Sequence, residues 1–383
     1  MLTQVNLTKL AGFLLLSLLL TSSTNQHYEL GFWHATHKKN QVLALYTHFP
    51  TYFNQHLSQL SPDSIAILAR NRIASAQWLY AMMHLSQGKA DTARLFWLPV
   101  LNRLSLVQRT ELATKLFDLK RWDQLNQLYH LKALPQGNVL NELYLYNSEP
   151  YYFVSEAFLQ AMQFAKLGDD LIIDNKCRFN VLLLTEHRAG LNKLAEFKAV
   201  FNQQPEPKQG VFCFSNPVYA AGQMLCKLTS KAAKCDVVEK VYQHYLKKGF
   251  NFIVMMGKSG SANVVNNVMQ INSTASYQVF LHELMHFSGF EDEYVLPDSK
   301  QKWLCFKSGY VAPNLFITNG VSPPQGWVKS ESCRIGYEAY KPSVQLSIMQ
   351  YQQIKLSEQY RQLWLKQLET NNLTTPSNSR VRD

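Results

Sequence analysis

The chain has 383 residues with 38 Lys and Arg against 27 Asp and Glu, a formal net charge of +11 at pH 7, yet only 17% of its residues are charged. That length accommodates two domains. The basic residues are spread rather than clustered and no nucleic-acid motif accompanies them, which excludes a nucleic-acid-binding role and leaves a solvated surface first, and peripheral contact with an anionic envelope surface second.

The first element in chain order is Lys9 followed by the eleven-residue apolar run Leu10 to Leu20, with small residues at Thr21 to Thr24. A weakly basic start, an apolar run too short to span a bilayer and a small-residue exit predict a signal peptide over residues 1–24, and hence an exported protein, periplasmic or secreted. An uncleaved N-terminal anchor is the alternative. Residues 25–172 contain no cysteine and are written in helical periods. Ala76 to Leu85, Gly88 and Ala93 read as two helices meeting at a glycine turn. Leu112 to Leu119 with Trp122, Leu125 and Leu128 read as a second pair, and Ala157 to Leu167 as a further helix. The pairs look like degenerate tetratricopeptide-like hairpins, but Gly88 to Arg121 and Arg121 to Gly168 are unequal steps, so a plain helical bundle stands beside that reading. A structural, substrate-presenting or partner-binding role is expected of this region.

All six cysteines lie beyond residue 170, and an even count in an exported chain predicts three disulfides. Pairing of neighbours gives Cys305 with Cys333 and Cys226 with Cys235. Phe252 to Met256 is an apolar run ending at Gly257, as a buried strand would. Gly257 to Asn263 reads as a loop and Val264 to Ile271 as a second strand, with Asn272, Ser273 or Thr274 capping the helix that follows.

That helix carries His282-Glu283-Leu284-Met285-His286, with Gly289 and Asp292 beyond it. Residues four apart share a helix face, so His282 and His286 can aim imidazole nitrogens at one ion, and Glu283 is placed to take a proton from a water on it. Gly289 can adopt the left-handed conformation that ends a helix and turns the chain back. The reversal brings Asp292 towards the ion, with Glu291 and Glu293 as neighbouring alternatives and Glu331 or Glu338 as distant ones. A fortuitous H-[DE]-x-x-H is expected roughly 0.02 times in a chain of this composition, so a second signature is needed. Ser347-Ile348-Met349-Gln350-Tyr351 supplies it downstream.

HExxHxxGxxD followed by SIMxY resembles the metzincin zinc peptidases. The run His282 to Tyr294 is also similar to bacterial IgA-peptidase-like metallopeptidases, whose Asp-Glu-Tyr tripeptide lies one residue farther from the histidines. The resemblance covers roughly residues 250 to 365. It implies zinc held by His282, His286 and Asp292, Glu283 as general base, Met349 in a turn beneath the ion, and Tyr351 supporting the oxyanion or the resting metal. It also implies a peptide substrate lying antiparallel along the last strand of the sheet, and a C-terminal helix, opening at Leu356-Ser357, beneath the site. The expected architecture is α+β: a helical region at 25–172, a peptidase domain with a mixed sheet at 173–370, and a disordered tail at 371–383. The expected activity is zinc-dependent peptide hydrolysis. The alternative is a catalytically inert zinc fold whose helical half binds an envelope partner.

Overall fold

A computed structural model describes residues 41–169, 171–228 and 231–370. The expected signal peptide and the expected tail lie outside the described residues. The chain divides into two units, residues 1–143 and 144–383, each with its own contacts.

The first unit is helical. Helices Ala74–Ser86 and Ala90–Trp97 form one hairpin, and Leu106–Asp118 and Trp122–His130 form the next. Helices begin at Val42, Ala74, Leu106 and Asn138, 32 residues apart each time. The sequence hid this period because the left-handed turn that Gly88 makes in one hairpin (φ 73°) is made by Lys120 in the next (φ 54°). A lysine there carries no turn signature. The faces between hairpins are filled by Ala81, Leu85, Ala93, Trp97, Leu112, Leu116, Leu125 and Leu128, all buried. Arg121 ties successive hairpins by pairing with Asp91 as well as with its neighbour Asp123.

The second unit is built on a sheet. In chain order its strands are β1 (Ala165–Lys166), β2 (Phe179–Thr185), β3 (Phe212–Phe214), β4 (Val218–Tyr219), β5 (Met224–Lys227), β6 (Lys234–Val237), β7 (Phe252–Gly257), β8 (Asn263–Val265) and β9 (Val268–Asn272). The spatial order is β1-β4-β2-β7-β9-β8, with β3 also beside β2, and β5 and β6 form a separate hairpin. Every pairing in the large sheet is parallel except β8 with β9.

Alternate residues of β2 and β7 fill two different cores. Val181, Leu183, Phe252, Val254 and Met256 pack on one face with Phe197, Phe280, Leu284 and Trp364, while Leu182, Leu184, Ile253 and Met255 pack on the other with Tyr245 and Phe250. Burial on both faces is why these strands are apolar throughout rather than alternating. The predicted strand Val264 to Ile271 is instead a hairpin, turning at Asn266 (φ 55°) and Asn267. The strand at the sheet edge is therefore β8.

Past this sheet, β10 (Ser308–Ala312), β11 (Leu315–Thr318), β12 (Val328–Ser330) and β13 (Ala339–Lys341) form an antiparallel sheet in the order β10-β11-β13-β12. The C-terminal helix Glu358–Thr370 buries Tyr360, Trp364 and Leu368, a stripe of every fourth residue.

Cysteines pair as Cys177–Cys213, Cys226–Cys235 and Cys305–Cys333, including both predicted neighbours. Three disulfides place the protein in an oxidising, exported compartment. No described helix is long and apolar enough to cross a membrane.

Helix Arg188–Gln203 packs tightly against the end of β2. A Cβ on Gly190 would meet Thr185 Oγ1 at 2.1 Å and His187 Cε1 at 2.9 Å. Gly190→Ala should therefore destabilise the protein by about 1–3 kcal/mol in chemical denaturation, although alanine is the better helix former.

Candidate metal centre

Helix Tyr277–His286 sits in the large core, and six successive residues, Phe280 to Met285, are buried. It is capped not by Asn272, Ser273 or Thr274 but by Ser276, whose hydroxyl accepts from Val279 N at 3.3 Å. Asn272 ends β9 and its side chain accepts from Thr274 N. The other end closes as the sequence predicts: Gly289 is left-handed (φ 82°), Gly289 N donates to His286 O and Phe290 N to Met285 O. That pair of bonds is a Schellman closure, and it reverses the chain.

The reversal brings three ligand atoms together. His282 Nε2 and His286 Nε2 are 3.2 Å apart, and Asp292 Oδ1 lies 3.2 Å from the first and 3.3 Å from the second. Both outer nitrogens face carbonyls: His282 Nδ1 donates to Ile348 O at 2.9 Å and His286 Nδ1 to Phe290 O at 2.8 Å. A carbonyl can only accept, so each neutral ring carries its proton on Nδ1 and turns a lone pair inward from Nε2. Asp292 Oδ1 is buried with no aligned hydrogen-bond donor.

Three acceptors at such distances are stabilised by positive charge between them, which a proton on His286 or a cation can supply. Two ligands on a tetrahedral ion with bonds of about 2.0 Å stand about 3.3 Å apart, the spacing found here. The donor set of two imidazoles and a carboxylate, with both outer nitrogens anchored, fits a divalent transition metal.

Glu283 stands just outside this triangle, its Oε1 3.9 Å from His282 Nε2, and is almost wholly buried. Burial pushes its carboxyl up, and His286 and His282 pull back only part of that. Burial also raises Asp292, but the two imidazoles overcome it and hold the carboxyl far below the usual range. Burial would lower His286, yet the Asp292 carboxylate 3.3 Å away, reinforced by Glu283, raises it to about 9.

The three adjacent acids have separate fates. Glu291 pairs with Lys300, Asp292 faces the histidines, and Glu293, fully buried, accepts from Ser347 Oγ (2.6 Å), Tyr360 Oη (2.6 Å) and Asn314 Nδ2 (2.8 Å). The distant alternatives are engaged elsewhere or solvent-facing: Glu338 pairs with Lys329 on the surface, and Glu331 is exposed. Met349 is buried in the core that holds the histidine helix, and its carbonyl accepts from Glu293 N at 2.9 Å.

Tyr351 is 46% exposed, and its hydroxyl joins none of the hydrogen bonds among these residues. Tyr294, two residues after Asp292 and 37% exposed, is a second tyrosine near these acids that the sequence did not single out. Burial, the charge of the Asp292 carboxylate and that of Glu283 all raise its hydroxyl. Its signal was its place two residues after the third ligand atom. Among the described residues the other cluster of metal-ligating types is Asp174, Cys177 and Cys213, whose sulfurs are committed to a disulfide.

Compared with known protein families, curated proteins and solved structures, the chain has no significant match to any of them.

A metal must displace the proton that His286 carries below about pH 9. Affinity for Zn²⁺ measured by chelator competition should therefore rise about tenfold per pH unit from pH 6 to 8 and flatten above about 9. A pH-independent affinity would contradict this proton competition. Asp292→Ala should reduce bound metal from about one equivalent to a small fraction on dialysis, while Glu291→Ala should not.

Proposed function

We propose that the protein is a zinc-dependent endopeptidase of metzincin type, exported by an N-terminal signal peptide into the periplasm or medium. The observation that carries this reading is the triangle of His282 Nε2, His286 Nε2 and Asp292 Oδ1 with the buried Glu283 carboxyl beside it. A structural metal site would be closed by four protein ligands; here two imidazoles and Asp292 would hold the ion, and the Glu283 carboxyl beside them would be free to act on a water. Zinc held there would supply Lewis acidity towards a carbonyl oxygen and lower the pKa of a water to about 7.

The chain's own residues supply the rest. Glu283, whose carboxyl burial raises, is placed to take a proton from the attacking water and return it to the leaving amine. His282 and His286 are locked in the ligating tautomer by Ile348 and Phe290. The edge strand β8 offers free backbone groups for an extended peptide, a mode of binding that depends little on side-chain sequence. Tyr351, following the Met349 turn, and Tyr294, whose hydroxyl is raised by the Asp292 carboxylate, are the tyrosines available to a developing oxyanion. The hairpins of the helical unit resemble tetratricopeptide repeats in their regular period, and presenting substrate or binding a partner is the role we assign them.

The test is hydrolysis of denatured casein by the mature protein and by Glu283→Gln. The variant should keep its zinc and lose at least about a hundredfold in kcat/KM. Equal cleavage by both would remove Glu283 from the mechanism, and a zinc-loaded wild type inactive on casein and on a mixed peptide library would favour the inert zinc fold.

A further inference from the structure

The most heavily bonded charged side chain near the candidate centre belongs to a residue that touches no ligand atom. Glu293 is fully buried, and its two carboxylate oxygens accept from Ser347 Oγ, Tyr360 Oη and Asn314 Nδ2. The ammonium of Lys341, itself buried, lies 3.6 Å from Oε2 and is held by Gln350 Oε1 and Gln345 O. The backbone is tied as well: Glu293 N donates to Met349 O, Glu293 O accepts from Ser330 Oγ, and Asp292 O accepts from Ser332 Oγ.

The bonds to the turn Ser347–Met349 matter most. This turn holds His282, through the Ile348 carbonyl on Nδ1, and it holds Glu293 through both Ser347 Oγ and Met349 O. Asp292 is the residue before Glu293, so one short segment fixes two of the three ligand atoms relative to each other, although they lie on different elements. A carboxylate suits this position because it is all acceptor: three neutral donors and an ammonium converge on it, and an amide would set its own N–H groups against one of them.

We propose that Glu293 is a positioning residue that sets the metal affinity and coordination geometry of the centre by clamping the Asp292 loop to the methionine-bearing turn. This rests on the metal-centre reading given above. Residues that hydrogen-bond to the ligands or to the segments carrying them change metal affinity by about ten- to a hundredfold.

The experiment compares the full mature chain with Glu293→Gln, Ser347→Ala and Tyr360→Phe, measuring Zn²⁺ affinity by chelator competition and the visible spectrum of the Co²⁺ form. Ser347→Ala removes the side-chain bond of the clamp, leaving the backbone bond from Glu293 N to Met349 O and the buried charges paired, so it serves where Glu293→Gln folds poorly. Tyr360→Phe removes an equally short bond to the same carboxylate from the C-terminal helix, and so reports the purely structural cost.

Glu293→Gln and Ser347→Ala should weaken Zn²⁺ binding by at least about tenfold and shift the Co²⁺ bands, while Tyr360→Phe stays within about twofold of wild type with unshifted bands. Wild-type affinity and spectrum in both Glu293→Gln and Ser347→Ala overturn the clamp alone, as does an equal loss in Tyr360→Phe. A wild-type protein that binds neither ion overturns the metal centre and this role together.

Discussion

Three hydrogen-bond acceptors held within about 3.3 Å of one another in a protein interior are the constraint around which residues 276–370 are arranged. Left alone they repel, and each lone pair kept from water without a donor costs about 1–3 kcal/mol. Only surrounding structure that over-determines their positions can hold them. Two carbonyls fix the imidazoles, the Schellman closure at Gly289 returns the chain, and the bonds around Glu293 keep Asp292 in place. A proton on His286 is a partial remedy. A metal ion satisfies all three at once, which is why the triangle carries the proposed function.

The sheet makes that rigidity available. β2 and β7 are buried on both faces, so the sheet is a fixed middle layer, and the histidine helix is laid across it by the short step from β9 to Ser276. The other side of the helix meets Trp364, whose indole donates to Ser288 Oγ at 2.7 Å between the helix end and the Gly289 turn. Helix, turn and C-terminal helix are thus packed as one block. The ligand atoms inherit their precision from the core rather than from the loop that carries Asp292.

What could be read from the sequence was what depends on near neighbours in the chain. The four-residue spacing of His282 and His286, the left-handed Gly289 and the apolar run of β7 each follow from local geometry, and each is found. The strand β2 carries the same signal in its run Val181 to Leu184. The turn at Asn266 and Asn267 was also legible, since adjacent asparagines are common at two-residue hairpins. Other features were not local. Among Glu291, Asp292 and Glu293 no spacing rule identifies the residue that faces the histidines, because Lys300, Ser347, Tyr360 and Asn314 claim the other two from 9 to 67 residues away. Tyr351 has the right spacing from Met349 and is 46% exposed, and Tyr294, 37% exposed, feels the charge of Asp292, so spacing alone does not choose between them.

Charge balance gives a physical reason for a carboxylate in the third position. The triangle and Glu283 together carry two negative charges when the imidazoles are neutral, and all are largely buried. The neighbouring charges are already matched, Glu291 by Lys300 and Glu293 by Lys341. A divalent cation therefore brings the buried centre to neutrality, which is far cheaper in a low-dielectric interior than any net charge. With a third imidazole in place of Asp292 the loaded site would hold an uncompensated positive charge beside Glu283, and that charge would oppose proton uptake by the base. A carboxylate would make a bound ion less electrophilic, but its negative charge adds to the burial that raises the Glu283 carboxyl.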